Sequence, residues 1–305
     1  MDGLERVITE WSRERDGRSR LNRRQFLQRA ALLAGGTLLG LTLACGADPT
    51  ALPTPTTAAS APSLEPGMTV SPDDPRLEAG PIEFQGNNAN LSGYLSRPKG
   101  DGPFPGVLVI HENRGLLPHF PDVSRRLALE GYAALALDLL SREGGTGTFA
   151  DSDQSRDALR KISAEQFVGD MNAAVSHLQS LSFVRRERIG AMGFCFGGGM
   201  VWLLSVRNPE IRAAVPFYGP APPLEEVPNI SAPVLGIYGS EDNRINQGVP
   251  DLKAALEQSN KDHRFITYQG ANHAFFNDTG RRYHPSSATQ AWDETLSFFG
   301  QHLKG

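Results

Sequence analysis

The sequence predicts an α/β fold with a mostly parallel central sheet and helices on both of its faces. Two patterns predict it. Short apolar runs alternate with helical segments along the chain, and runs such as residues 106–111 are apolar throughout. Alternating strands and helices are typical of right-handed βαβ units, and uninterrupted apolar runs are typical of strands buried on both faces. Ligands in such sheets lie at the carboxyl ends of the strands, so functional side chains are expected just after them.

Eight strands and five helices are predicted beyond residue 80. Residues 81–84 and 91–96 alternate apolar and polar side chains on either side of a turn, which predicts an antiparallel hairpin at a sheet edge. Further strands are predicted at 106–111, 132–138, 188–192, 211–217, 233–238 and 264–268. From the spacing of their apolar residues, helices are predicted at 120–130, 164–181, 196–207, 249–258 and 288–303. Residues 141–152 are rich in glycine and are predicted to form a loop.

The first 45 residues are expected to be an export signal rather than part of this fold. Arg23 and Arg24 precede an uncharged run at residues 30–44. A membrane-spanning helix needs about 20 apolar residues, so this shorter run fits the core of a signal peptide. Paired arginines before such a core resemble a twin-arginine signal, which carries folded proteins out of a bacterial cytoplasm. We therefore expect an extracytoplasmic protein; the alternative is an amphipathic surface helix with chance arginines.

Cys45 closes the apolar run in the sequence Leu-Thr-Leu-Ala-Cys-Gly, which resembles a lipoprotein processing site. Thr42 departs from that pattern, which prefers leucine three residues before the cysteine, so lipidation of Cys45 and simple cleavage nearby are both left open. Lipidation would tether the protein to a membrane. Residues 46–76 are rich in Pro, Thr, Ala and Ser and are expected to form a disordered linker. Residues 77–305 remain as one α/β domain, long enough for a hydrophobic core.

A candidate nucleophile lies in the pentapeptide Gly193-Phe194-Cys195-Phe196-Gly197, between a predicted strand and a predicted helix. This is the Gly-x-nucleophile-x-Gly turn of an α/β-hydrolase, with cysteine in place of serine. The N-terminus of the following helix favours a thiolate and a developing oxyanion. On its own the pentapeptide is a weak signal, because glycine-rich turns are common and buried cysteines are often inert.

Two later strand ends carry the groups that a cysteine nucleophile needs. Asp242 follows the strand at 233–238, and His273 follows the strand at 264–268. The order nucleophile, acid, histidine is that of α/β-hydrolases. The imidazole takes the proton of the thiol, and the carboxylate holds the imidazole in the right tautomer. Taken singly, Asp242 is equally a turn or helix cap and His273 a surface histidine. Together with Cys195 they predict a catalytic triad.

Charge and residue content exclude other classes of function. The net charge is −4 at pH 7, and no basic patch indicates nucleic-acid binding. His111 and His119 are less well placed than His273, and the pair His111-Glu112 lacks the second histidine of a zinc-binding helix, so no metal site is expected. We expect a monomer whose partner is a small-molecule substrate.

The segment from Gly80 to Leu303 resembles the dienelactone hydrolase (carboxymethylenebutenolidase-like) family of α/β-hydrolases. The matching motifs are His-Glu-Asn-Arg-Gly at 111–115, Gly-Phe-Cys-Phe-Gly-Gly-Gly at 193–199, Tyr-Gly-Ser-Glu-Asp at 238–242 and Ala-Asn-His-Ala-Phe at 271–275. The resemblance implies an α/β-hydrolase without a large cap that hydrolyses lactones or esters through an acyl-cysteine and uses no cofactor. It also implies that Glu112 takes part in generating the thiolate. The alternative for Glu112 is a carboxylate that only orders its loop.

The oxyanion hole is expected to consist of two backbone N–H groups, that of Phe196 just after the nucleophile and that of Asn113 in the first strand–helix loop. Archetypal members of the family hold the carboxylate of dienelactone with two arginines. Arg142 matches one of them, but Asn277 stands where the second would be. This difference removes one bidentate contact to an anion, so we expect a different or less acidic ester as substrate. A plain surface role for Arg142 is left open.

Three functions are compatible with these residues. The first is an exported dienelactone-hydrolase-like enzyme that uses Cys195, His273 and Asp242. The second is a general carboxylesterase, or another hydrolase, on the same triad. The third is a surface-tethered binding protein that uses the fold without turnover. The intact triad argues against the third, because a pure binding protein has no reason to keep all three groups.

Overall fold

The computed structural model describes residues 68–305. The expected export signal at 1–45, with Cys45, and the linker up to residue 67 lie outside the described residues. The described end of the predicted linker lies against the domain. The backbone N–H groups of Thr69 and Val70 donate to Asp122 Oδ1 at 2.9 and 2.8 Å, and Val70 is buried. Packing onto the domain therefore begins ahead of Leu77, the predicted start of the domain.

One eight-stranded sheet forms the centre of the described chain. Its strands are β1 (Leu77–Gln85), β2 (Asn90–Pro98), β3 (Phe104–Ile110), β4 (Ala133–Leu137), β5 (Val184–Phe194), β6 (Ala213–Phe217), β7 (Val234–Gly239) and β8 (His263–Tyr268). They lie in the order β1-β2-β4-β3-β5-β6-β7-β8. β2 pairs antiparallel with β1 and β4, and the other neighbouring strands are parallel. The predicted sheet, with its antiparallel hairpin at one edge, is confirmed.

The helices follow the prediction closely, with two additions. They are α1 (His119–Leu129), α2 (Ser152–Leu159), α3 (Ala164–Ser180), α4 (Phe196–Arg207), α5 (Asn243–Asn246), α6 (Val249–Gln258) and α7 (Pro285–Phe299), which continues as a π-helical turn (Gly300–Lys304). α2 and α5 were not predicted, and α2 begins where the predicted glycine-rich loop ends. Within residues 68–305, no helix combines the length and apolar character needed to cross a membrane.

Both faces of the sheet are covered. Every residue of β4 and β7 is buried, which requires packing on both sides of these strands. α1 packs against β2 and β4, whereas α3 and α4 both pack against β5. Between consecutive strands of the described chain lie at most two α-helices and short helical turns, rather than an inserted cap domain. The parallel strands β5, β7 and β8 all end at one edge of the sheet, which brings the residues after them together.

Candidate active site

The turn between β5 and α4 holds the candidate nucleophile. β5 ends at Phe194 and α4 begins at Phe196, so Cys195 alone forms the turn. Its φ is 57° and its ψ is −114°, a conformation that non-glycine residues rarely adopt and that persists only where the surroundings enforce it. Here the Cys195 N–H donates to the carbonyl of Phe217 at 3.0 Å, and the Cys195 carbonyl accepts from the N–H of Gly199 at 3.2 Å. The thiol therefore stands at the N-terminus of α4.

Two glycines allow this turn to pack closely. A Cβ at Gly193 would collide with the backbone of Gly197, and a Cβ at Gly197 would collide with the carbonyl oxygens of Ile110 and His111. Backbone atoms in a packed core do not give way to a methyl group. Because these positions are glycine, the start of α4 contacts the end of β3 directly. This contact joins the nucleophile turn to the loop that carries Glu112.

The structure brings the three predicted triad residues together. His273 Nε2 lies 2.9 Å from Cys195 Sγ, and His273 Nδ1 lies 2.5 Å from Asp242 Oδ2. All three residues are buried. The side chains therefore form a continuous hydrogen-bonded chain from carboxylate to imidazole to sulfur, which is the arrangement that a base-activated nucleophile needs.

The neighbours of His273 raise the pKa of its imidazole. Burial by itself would lower the pKa of His273, but a negative charge on Cys195 and the hydrogen bond to Asp242 outweigh burial and raise the pKa to about 10. The surroundings therefore favour the imidazolium form of His273.

The carboxylate of Asp242 also caps a helix. It is the N-cap of α5, and its Oδ1 accepts from the N–H of Ile245 at 3.4 Å, while Oδ2 faces His273. The cap role and the triad role, which the sequence left as alternatives, thus belong to the two oxygens of one carboxylate. Because Oδ1 is bonded to the backbone N–H of Ile245, the backbone sets the orientation of the carboxylate and directs Oδ2 toward His273.

Glu112 and Asn277 contact each other. Asn277 Nδ2 donates to Glu112 Oε2 at 3.1 Å, and Asn277 Oδ1 accepts from the backbone and hydroxyl of Thr279 at 3.0 and 2.6 Å. Glu112 Oε1 is buried without a hydrogen-bond partner among the described residues. A buried carboxylate oxygen without a partner is costly. Asn277 therefore holds one oxygen of Glu112, and the described residues leave the other without a hydrogen bond.

Tyr218 is a site residue that the sequence analysis missed. It directly follows β6, has a φ of 38°, and its ring centroid lies 5.2 Å from that of His273. Burial, followed by the negative charges of Glu112 and Cys195, raises the pKa of Tyr218 well above its usual value, so its phenol stays protonated. Its place directly after a strand is the signal that would have found it.

Arg142 is held by other residues of the chain. Its Nε lies 2.9 and 3.0 Å from the two carboxylate oxygens of Asp170, and its Nη2 lies 2.7 Å from Asp170 and 2.6 Å from the carbonyl of Asn87. Asp170 is buried. A buried carboxylate needs such a partner, so these contacts support a structural role for Arg142 rather than an anchor for substrate.

The two expected oxyanion donors lie on the two segments that Gly197 brings together. Phe196 is the first residue of α4, and Asn113 follows Glu112 in the loop between β3 and α1.

His119 stands apart from the triad, with Nδ1 2.8 Å from Asp278. Among residues 68–305, no cluster of three or more His, Cys, Asp or Glu residues is arranged to hold a metal ion.

Comparison with known proteins identifies similar sequences. The model of the dienelactone hydrolase family matches residues 91–303. A protein of Escherichia coli (strain K12) named "Putative carboxymethylenebutenolidase" is 36% identical over 258 residues, which cover 80% of this chain and 94% of that protein. A protein of the same name from Saccharolobus solfataricus is 34% identical over 253 residues, covering 71% of this chain and 96% of its own length.

A solved structure shows the same fold. The crystal structure named "Putative Dienelactone Hydrolase" from Klebsiella pneumoniae subsp. pneumoniae MGH 78578 superposes with a TM-score of 0.70 at 32% identity. The match covers 74% of this chain and 99% of that one. The predicted fold class is confirmed.

Proposed function

The chain belongs to the dienelactone hydrolase family of α/β-hydrolases and is a hydrolase acting on ester bonds; from that premise we propose that it cleaves a lactone or carboxylic ester through an acyl-cysteine on Cys195. The observation that carries the proposal is the buried chain of contacts from Asp242 through His273 to Cys195, at 2.5 and 2.9 Å.

The proposed reaction has two steps. Cys195 Sγ attacks the carbonyl carbon, and the imidazolium of His273 gives its proton to the departing alkoxide, leaving a thioester. For a lactone the alkoxide stays attached to the acyl chain as a hydroxyl. His273, now neutral, then removes a proton from water, which attacks the thioester and releases the carboxylic acid and the thiolate. Asp242 keeps Nε2 directed at sulfur and water throughout.

Charge on the carbonyl oxygen develops in both steps. In the proposal, the backbone N–H groups of Asn113 and Phe196 stabilise it. We assign Glu112 a part in generating the thiolate, while the thiol proton passes to His273; Glu112 Oε1 has no hydrogen-bond partner among the described residues. These assignments rest on placement at the ends of β3 and β5.

We propose a substrate less acidic than dienelactone. Asn277 occupies the position of an expected arginine and donates to Glu112, and Arg142 is paired with Asp170. Neither residue therefore offers an uncommitted cation to a substrate carboxylate. A general carboxylesterase activity on the same triad is the second candidate, and it is favoured by the same two observations.

Hydrolysis of a short-chain aryl ester and of a dienelactone by the purified protein tests the proposal. We expect turnover of the ester with a burst of aryl alcohol, weaker turnover of dienelactone, and loss of at least about 10³-fold in kcat for Cys195→Ala. The chain has one other cysteine, so Cys45→Ala is the matched control and should retain the rate.

The outcomes separate the candidates. Turnover of the aryl ester without lactone turnover favours the general carboxylesterase. Efficient turnover of dienelactone contradicts the proposed preference for a less acidic substrate. If neither substrate is cleaved and alkylation of Cys195 changes nothing, the protein is a binding protein on a hydrolase fold, and the catalytic proposal fails.

We also propose that the enzyme works outside a bacterial cytoplasm, exported by the twin-arginine-type segment around Arg23 and Arg24. Lipidation of Cys45 would then tether it to a membrane. The support is the sequence alone: the arginine pair, the apolar run and the Pro- and Thr-rich segment that follows.

A further inference from the structure

His111 is a buried histidine that the proposed reaction does not use. It directly follows β3 and is fully buried. Its Nδ1 lies 2.6 Å from the carbonyl oxygen of Glu112, and its Nε2 lies 3.1 Å from the backbone nitrogen of Leu139. A carbonyl only accepts and a backbone N–H only donates. The proton of the ring is therefore on Nδ1, and Nε2 is the acceptor.

The ring is neutral as well as fixed in its tautomer. Burial lowers the pKa of His111, and this outweighs the opposing effect of Asp138. With one nitrogen donating and the other accepting, the imidazole joins the end of β3 to the segment after β4. A buried polar side chain with both its groups satisfied is rigid.

The carbonyl that His111 holds belongs to the peptide unit between Glu112 and Asn113. A trans peptide is planar, and its C=O and N–H point in opposite directions. His111 shares the Glu112 oxygen with the N–H of Gly115, which donates to it at 3.3 Å, and holding that oxygen sets the direction of the Asn113 N–H. That N–H is one of the two proposed oxyanion donors.

The second donor is coupled to the same histidine. The ring of His111 stacks on the ring of Phe196, with centroids 6.3 Å apart and an interplanar angle of 22°. The carbonyl oxygen of His111 also packs against Gly197, at 2.5 Å from where a Cβ would lie. His111 thus contacts both segments that supply the proposed donors.

We propose that His111 is a positioning residue for the oxyanion hole: by donating from Nδ1 to the Glu112 carbonyl, it directs the Asn113 N–H toward the oxyanion that the Phe196 N–H also faces. This inference rests on the proposed function, because it needs an acyl-transfer reaction at Cys195. His111 itself touches neither substrate nor sulfur in the proposed reaction.

Two variants separate the two hydrogen bonds of the ring. In His111→Asn, the side-chain amide can place an N–H at the position of Nδ1 and keep the donation to Glu112. In His111→Gln, the longer side chain can place its oxygen at the position of Nε2 and keep the acceptor for Leu139, but the donation to Glu112 is lost. Each variant breaks one buried hydrogen bond, so both should lose stability to a similar degree.

Activity should distinguish the variants. Loss of an oxyanion donor lowers kcat by about 10²–10³-fold, so a misdirected donor in His111→Gln should lower kcat for an aryl ester by about 10–100-fold with KM nearly unchanged. His111→Asn should keep kcat within about fivefold of the wild-type value. A trifluoromethyl ketone, which forms an oxyanion on Cys195, should bind more weakly to His111→Gln by a factor similar to the loss in kcat.

Three results have distinct meanings. Equal kcat and equal inhibitor binding in the two variants, with equal losses of thermal stability, would show that His111 is only structural. A larger loss in His111→Asn than in His111→Gln would also overturn the proposal. Absence of Cys195-dependent hydrolysis in the wild-type protein would instead overturn the proposed function, which the wild-type and Cys195→Ala measurements decide beforehand.

Discussion

His273 determines the resting state of the site. Its imidazole lies between two groups that bear or develop negative charge, at 2.5 and 2.9 Å, in a buried place where charges are weakly screened. In the proposed reaction, the proton on His273 is the one that the leaving group receives.

The protonation of His273 is directly measurable. Since its pKa is raised to about 10, we expect the ring nitrogens to give imidazolium signals by ¹⁵N NMR from pH 6.5 to 9 and to titrate only near pH 10. In Cys195→Ala the pKa of His273 should fall, because the charge that raises it most is gone while burial remains. Asp242→Asn should lower it too.

The assignment of these signals needs His273→Gln as a control, in which the signal should vanish. A wild-type His273 that titrates near its ordinary value of 6.5 would contradict the charged resting state. It would leave the thiol and imidazole as a neutral pair at neutral pH.

Single residues differ in how far the sequence reveals them. Cys195, Asp242 and His273 could be named because each lies in the loop or turn after its own strand, and strand ends converge in a parallel sheet. The contact between Asn277 and Glu112 joins residues 165 positions apart and depends on the paths of two loops. Likewise, nothing in the local sequence of Arg142 indicates that the buried Asp170 is its partner.

At the scale of elements, the close contact between α4 and β3 couples the position of α4 to that of the loop after β3. It exists only because Gly197 has no side chain: a Cβ there would lie under 3.0 Å from two carbonyl oxygens of the β3 end. These carbonyls belong to Ile110 and His111, so any shift of α4 also displaces the loop with Glu112 and Asn113.

Alanine substitution of two helical glycines tests this contact. Gly197→Ala should destabilise the protein by about 3 kcal/mol through overpacking, with loss of esterase activity. Gly169→Ala in α3 is the matched control, since a Cβ there meets nothing within 4 Å. It should stabilise by roughly 0.5–1 kcal/mol through helix propensity.

Urea denaturation measures both free energies of unfolding. Equal stability of Gly197→Ala and the wild type would show that the helix start tolerates a side chain, and the close packing would then not explain the glycine. Loss of stability in Gly169→Ala would point to an effect of glycine substitution unrelated to packing.

The elements that the sequence did not reveal share a physical feature. α2 buries only Ser155 and Leu159, so it shows no apolar period and depends on the cap by Asp151, whose Oδ1 accepts from two backbone N–H groups at 2.9 Å each. α5 has four residues, too few for any period. By contrast, inner strands such as β4 and β7 were found because burial on both faces makes them continuously apolar.

At the scale of the whole molecule, the described domain and the N-terminal segment have separate tasks in our proposals. The domain contains the complete triad within residues 68–305. The N-terminal residues are proposed to set only where the enzyme works. Folding of the domain before export is compatible with a twin-arginine route, which carries folded proteins.

Export is tested by changing the arginine pair. The double variant Arg23→Lys, Arg24→Lys should leave the protein in the cytoplasm of a bacterial host with this pathway, because the pair is what the route recognises. Arg18→Lys with Arg20→Lys makes the same exchange upstream of the pair, keeps the charge, and should be exported normally. Fractionation and immunoblotting measure the distribution, and normal export of the first variant would rule out the twin-arginine proposal.

The attachment at Thr69 and Val70 has a mechanical consequence. A force applied to the chain from its N-terminal side acts on Thr69 and Val70 before it acts on β1. It is then resisted by two hydrogen bonds to Asp122 and by a third from Arg125 to the Val70 carbonyl at 2.8 Å. These three hydrogen bonds are loaded at the same time, and they transmit the force to α1. The edge strand is thereby protected from being peeled off the sheet one bond at a time.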